Sequence, residues 1–177
     1  MQSAEFAILD WIQLHCRSGV LDAVLPVISW TCNHGELWIL LALVLLAVKK
    51  HRRLGWSVAA ALVLDLICCN LVLKPLIGRV RPFTVHPVEL LIAPPGEASF
   101  PSGHTACSFA AAGAIWFAGH RRAGAAAFAL AAVIAFSRLY LYVHWPTDVL
   151  GGAVLGWALG WAGARLTERV YARLEQK

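Results

Sequence analysis

The sequence predicts an all-α membrane protein, an integral bundle of six transmembrane helices preceded by an interfacial helix at the N-terminus. Three observations carry this expectation. Of 177 residues, 59% are hydrophobic and only 14% charged, against roughly 45–50% and about 25% in soluble domains. Apolar runs recur at near-membrane length, since about 30 Å of hydrocarbon at 1.5 Å per residue takes roughly 20 residues. Basic residues cluster at alternate junctions between those runs. A chain this apolar has too little charge to stay solvated and disordered.

The elements follow in order. Glu5 to Cys16 mixes Phe6, Ile8, Leu9, Trp11, Ile12 and Leu14 with polar positions, which suits a helix lying along the interface. Residues 1 to 19 carry Glu5, Asp10 and Arg17 instead of a basic start and a continuous apolar core. No cleavable signal peptide is therefore expected. Val20 to Trp30 is the first apolar run, interrupted by Asp22 and Pro26. Leu37 to Val48 has no polar residue and stops at Lys49-Lys50-His51-Arg52-Arg53. Leu54 to Leu73 is broken only by Ser57, Asp65 and Asn70. After a Pro/Gly-rich stretch from Pro75 to Pro101 come Thr105 to Gly119, Ala123 to Val143 and Val149 to Ala164. One membrane-embedded domain over 1–177 accounts for the whole pattern. Gly152, Gly156 and Gly160 form two overlapping GxxxG steps, read as packing within the chain ahead of dimerisation.

The net charge of +5 leaves nucleic acid open as a partner until the basic residues are sorted by side. With the Lys49 to Arg53 cluster placed inside, alternation puts Arg17, Arg121, Arg122, Arg165, Arg169, Arg173 and Lys177 on the same side. Eleven of fifteen basic residues then obey one rule. Lys74, Arg79, Arg81 and Arg138 remain, all at the opposite face. Trp30, Trp38 and Trp145 would mark the outer belt, and Trp11, Trp56, Trp116 and Trp161 the inner one. Cys16, Cys32, Cys68, Cys69 and Cys107 show no metal-ligand spacing and read as buried thiols.

Three polar islands interrupt the apolar chain at the outer face: Lys74 to Pro82, Pro101-Ser102-Gly103-His104, and Ser137-Arg138 followed by His144 and Asp148. Their chemistry converges on a phosphate. Cations at a membrane boundary are costly unless paired, and the later outer loops offer only Glu89, Glu97 and Asp148, so an anionic ligand would neutralise the surplus. Pro-Ser-Gly-His reads as a helix start, with Ser102 at the N-cap and free amides forming an anion site. His144-Trp-Pro-Thr-Asp148 reads as a second start, Pro146 in the first turn and Asp148 folding back toward His144. A carboxylate on one imidazole nitrogen leaves the other as a nucleophile.

These residues resemble the signature of the type 2 phosphatidic acid phosphatase superfamily of membrane lipid phosphatases. Lys74 with Arg81-Pro82, Pro101 to His104, and Ser137-Arg138 with His144 and Asp148 match its three parts without departure, so that 74–148 is the motif core. The resemblance implies that His144 attacks phosphorus to give a phosphohistidine, that Asp148 orients it, and that His104 protonates the leaving oxygen and later activates water. Lys74, Arg81, Ser102, Gly103 and Arg138 would bind the phosphate. No metal and no cofactor is required, in keeping with the lack of a carboxylate cluster suited to Mg²⁺. The short chain looks like the small bacterial members that recycle undecaprenyl diphosphate. A multi-pass protein of the bacterial plasma membrane is expected, its site facing the outside or periplasm, with a membrane lipid phosphate as substrate and no nucleic acid. Phosphatidylglycerophosphate and phosphatidic acid are alternative substrates, and a non-catalytic anionic-lipid binder or transporter is the alternative of another class. Oligomeric state is not indicated.

His86 reads as a surface residue, and His15, His34, His51 and His120 match no motif. Arg79 is balanced between a phosphate contact and a solvent-facing role. Asp65 lies nine residues before Lys74, on the opposite face of a regular helix, and reads as protonated packing.

Overall fold

Backbone amides in hydrocarbon must be satisfied within their own segment, and the chain meets that demand with helices. The computed structural model describes residues 2–176, and no strand occurs among them. Lys177, expected among the inner anchors, lies outside the described residues. In chain order the helices are α1 (Gln2–His15), α2 (Gly19–Trp30), α3 (Glu36–Ala47), α4 (Arg52–Asp65), a π-helical segment (Leu66–Leu73), the single turns α5 (Lys74–Ile77) and α6 (Pro82–Val85), α7 (Gly103–Phe117), α8 (Arg121–Tyr140) and α9 (Pro146–Leu174). Three helical stretches are long and apolar enough to cross a membrane: Lys49–Val85, Arg121–Tyr140 and Pro146–Leu174. α2 and α3 are apolar but shorter.

The centre is α7 against α9. Ala106, Ala110, Ala111 and Ala114 of α7 are fully buried, and the GxxxG face of α9 lies on them. A Cβ at Gly160 would stand 2.6 Å from the Ala110 carbonyl oxygen, and one at Gly156 would collide with the Ala106 carbonyl. Gly163 approaches the backbone of Ala61 in α4 in the same way. The glycine stripe is therefore consumed within the chain, as the sequence suggested. α3, α4 and α8 pack around this pair, giving one end where Arg53 lies over Tyr171 and Arg121 over Trp116. At the other end α7 and α9 begin and α8 finishes.

α2 departs from the expected lengthwise path. Near its start, Asp22 accepts from the Tyr140 hydroxyl (2.6 Å); near its end, Ser29 accepts from Arg138. Asp22 and Ser29, seven positions apart on α2, thus meet Tyr140 and Arg138, only two positions apart on α8, so α2 stays at the site end of the bundle. Arg17, paired there with Asp22, and α1 with Trp11, tied to Tyr140 through Gln13, lie at the site end and not beside the Lys49 to Arg53 cluster. Trp38 and Trp145 are buried instead of lying in the outer belt, because Nε1 of each finds a partner inside, Ser108 Oγ at 2.9 Å and the Val80 carbonyl at 2.8 Å.

Gly156→Ala forces α7 and α9 apart and is expected to destabilise the fold by about 1–3 kcal/mol or more, read as a lower melting temperature in detergent. Gly19→Ala, with nothing within 4 Å of the added methyl, is the control and should leave it unchanged.

Candidate active site

Pro146 occupies the first position of α9, where its missing N–H costs nothing. That puts Asp148 at the third position, and its Oδ2 accepts the Trp145 amide at 2.8 Å. Ser99 donates to the same oxygen, and Arg79 Nη1 donates to Oδ1 at 2.6 Å. Asp148 is fully buried yet saturated with donors. Its Oδ2 lies 3.5 Å from His144 Nδ1, too far for a good hydrogen bond, and Nδ1 has no partner. On the other side of the ring, Arg81 Nη1 stands 3.2 Å from Nε2. Guanidinium only donates, so Nε2 must accept and the ring proton belongs on Nδ1, facing Asp148. His144 is buried among cations. Burial chiefly, with Arg81 and Arg138 adding, pushes its pKa down to about 3 against the opposing pull of Asp148.

Arg81 is held by the carbonyls of Glu97 (2.8 Å) and Val143 (2.7 Å). Gly78, at φ +58°, ends α5 in the left-handed region and turns the chain between Lys74 and Arg81. Arg138 is almost fully buried, donates to Ser29 Oγ, and leaves Nε without a partner. Neither guanidinium has a carboxylate within ion-pair distance among the described residues. Lys74 pairs with the largely exposed Glu97, and that contact holds the Glu97 carboxyl below its usual range. His104 Nε2 faces the Ser29 carbonyl and Asn33 Oδ1, each at 3.2 Å. Both are acceptors, so Nε2 carries the proton there.

A cavity of about 1340 Å³ is lined by Lys74, Arg81, Gly103, His104, Arg138 and His144. Two of the eight sequence-predicted site residues stand behind this wall. Asp148 lies behind His144, and Ser102 behind Gly103. Ser102 occupies the N-cap position but does not cap. Its Oγ accepts from Thr105 Oγ1 (3.0 Å), and its amide is spent on the Asp148 carbonyl (3.0 Å). Free amides of that helix start therefore begin at Gly103.

The structure also corrects two other expectations. Arg79 is neither a phosphate contact nor solvent-facing: Thr147 and Asp148 (2.6 Å each) and Glu5 (2.6 Å) take its donors. Asp65 and Asn70 line the same cavity as Lys74, because the π-helical turn delays the phase that a regular α-helix would impose. Ser29, Asn33 and Ser99 carried no motif. Glu5 did carry a signal, since it shares the spacing i, i+4, i+7 with the buried Leu9 and Ile12, which puts a carboxylate on the inward face of α1.

Residues 53–171 match the sequence profile described as the PAP2 superfamily. The chain belongs to the PAP2 superfamily. It is 31% identical over 120 residues to an undecaprenyl-diphosphatase of Sulfolobus acidocaldarius, a match that spans 67% of this chain and 58% of that protein. It is 30% identical over 156 residues to the undecaprenyl-diphosphatase BcrC of Bacillus subtilis, covering 86% of this chain and 78% of that one. Among solved structures, the first transmembrane PAP2 type phosphatidylglycerolphosphate phosphatase from Bacillus subtilis superposes with a TM-score of 0.78 at 27% identity, covering 96% of this chain and 87% of the other. As a PAP2 phosphatase, the chain is a membrane hydrolase acting on phosphate esters or anhydrides.

Glu97 occupies an ammonium that faces the cavity. Freeing Lys74 by Glu97→Gln is expected to lower KM for an anionic substrate, by up to roughly fivefold for a contact worth about 1 kcal/mol, as read by steady-state phosphate release. The ring of His144 yields a pH expectation for the ligand-free protein. Its folded pKa lies below the unfolded value of about 6.5, so the unfolded chain binds the extra proton first. The stabilising contribution of the neutral ring is full above pH ~6.5 and drains away down to pH ~3. Melting temperature should fall through that window, and His144→Gln should flatten the slope.

Proposed function

We propose that the chain is an undecaprenyl-diphosphatase, hydrolysing undecaprenyl diphosphate to undecaprenyl phosphate and inorganic phosphate through a phosphohistidine at His144. One observation carries the reading: Arg81 and Arg138 are buried without carboxylate partners among the described residues, in a cavity that also holds an unprotonated imidazole nitrogen. Two unpaired guanidiniums beside a nucleophile call for a phosphate dianion.

In the proposed reaction, His144 Nε2 attacks the terminal phosphorus. The bond to the bridging oxygen breaks, and that oxygen takes a proton from His104, an imidazolium when the anionic substrate is bound, and leaves on the lipid while His104 becomes neutral. The imidazole becomes positively charged as the N–P bond forms, and Asp148 opposes Nδ1–H to stabilise it. His104 then accepts a proton from water, whose oxygen attacks phosphorus and releases His144. Lys74, Arg81, Arg138 and the Gly103 amide hold the equatorial oxygens, where charge gathers during transfer. Ser102 supports this set from behind. No metal ion takes part in this scheme. The apolar walls of the cavity, including Val27, Ile39, Leu43, Leu66 and Leu71, suit a lipid chain entering from the bilayer. Likeness to the Bacillus subtilis phosphatidylglycerolphosphate phosphatase supports that phosphomonoester as a second substrate class.

The protein is read as a single domain of a bacterial plasma membrane, its site on the outer or periplasmic side, because the basic clusters gather at the opposite end. The contacts of α2 favour five crossings over the six counted in sequence. α3, α4 with its π-helical continuation, α7, α8 and α9 run lengthwise, while α1 and α2 lie at the outer boundary.

Phosphate release from undecaprenyl diphosphate, phosphatidylglycerophosphate and phosphatidic acid, measured side by side, should be greatest for the first. His144→Ala should reduce it at least about a thousandfold, as loss of a nucleophile does. Release that survives this substitution refutes the covalent route, and equal binding without turnover in the unmodified protein favours a lipid-binding protein. Vanadate should inhibit, and chelators should not.

A further inference from the structure

We infer that α1 belongs to the catalytic apparatus: Glu5 and Arg79 are positioning residues that set Asp148 and, through it, the ring of His144. This rests on the reaction proposed above. Arg79 bridges two carboxylates, with Nη1 on Asp148 Oδ1 and Nη2 on Glu5 Oε2, both at 2.6 Å. Its guanidinium lies over the Trp145 ring, 5.2 Å from the centroid. Glu5 is 6% exposed, and its second oxygen accepts the Thr147 amide at 3.2 Å and the Thr147 hydroxyl. A carboxylate so buried persists only where each oxygen is partnered, and every partner it has adjoins Asp148.

The rest of α1 grips the same loop from both sides of His144. Asp10 accepts from the Tyr142 hydroxyl (2.7 Å), and Gln13 donates to the Tyr140 carbonyl (2.7 Å). Phe6 packs edge-on against Trp145 with centroids 4.7 Å apart. Tyr142 has φ +59°, a left-handed conformation that a bulky side chain adopts only when its surroundings enforce it. Asp10 and the buried Leu9 beside it supply that enforcement.

The chemistry gives each residue a distinct part. Arg79 binds Oδ1 and so leaves Oδ2 as the oxygen directed at Nδ1. Glu5 offsets the charge of Arg79, so that Asp148 keeps the negative potential that stabilises the imidazolium formed as Nε2 attacks. Neither residue lines the cavity. Their effect therefore falls on turnover and leaves substrate binding unchanged.

The test uses the full chain in detergent, with initial rates on undecaprenyl diphosphate and phosphatidylglycerophosphate and melting temperatures recorded in parallel. Arg79→Gln and Glu5→Gln are each expected to lower kcat by about tenfold to hundredfold with KM changed by no more than about twofold, as displacement of a catalytic group does. The double variant should fall no further than Arg79→Gln alone, since both act through Asp148. Leu14→Ala, on the exposed face of α1, should retain the original rate. Unchanged kcat in Arg79→Gln and Glu5→Gln overturns the inference, as do a rise in KM without loss of kcat and rate losses equal to the loss of folded protein. If Arg79→Gln does not fold, Glu5→Gln, which keeps size and hydrogen-bonding capacity, decides alone. Absence of phosphate release by the unsubstituted chain from either lipid defeats the proposed reaction itself and is thereby distinguished from failure of the positioning role.

Discussion

Asp148 is the buried charge around which the site end is assembled. Its carboxylate collects Arg79 from the turn after α5, Ser99 from the loop before α7, and the amide at the start of α9. Its backbone carbonyl takes the Ser102 amide, which fixes the start of α7 beside the start of α9. A buried carboxylate tolerates no missing donor. The segments that supply those donors are therefore held in one arrangement, and His144, four residues earlier, is held with them.

Below that anchor, the packing of α7 on α9 through backbone and small side chains brings two helix starts close enough to share one cavity. Charge is then distributed unevenly. Among the described residues, Arg79 and Lys74 are answered by carboxylates, whereas Arg81 and Arg138 are not. The desolvation of the unanswered pair disfavours the empty site and favours an occupied one. The His144 imidazole among cations stays neutral for the same reason, and neutrality is the state a nucleophile needs.

Much of this was legible in the residues. The three polar islands named six groups that line one cavity, and Pro146 and Gly103 marked the helix starts correctly. Where reading failed, a competing physical effect was at work. Val20 to Trp30 is apolar, but a run of eleven residues packs across a helix end as readily as along it, and Asp22 with Ser29 ties it to the site end. Trp38 and Trp145 suit a belt or a core equally, and buried acceptors decided for the core. Ser102 has the right position for a cap, yet Thr105 claims its oxygen. Arg79 lacked a motif because its partners, Glu5 and Thr147, lie far away in sequence.

The π-helical segment has a bearing on how such a chain can vary. Between Asp65 and Lys74 the wide turn sets the angular offset that places both residues, with Asn70, on one wall of the cavity. Leu66, Ile67, Leu71 and Val72 of this stretch are exposed apolar side chains, so their identities are loosely constrained. Their number is not. Removing one residue from Leu66–Leu73 would let an ordinary α-helix form and would swing Lys74 about 100° around the axis, whereas exchanging leucine for isoleucine would leave it in place. Here the chain tolerates substitution and resists deletion, so its length in this stretch carries information that its composition does not.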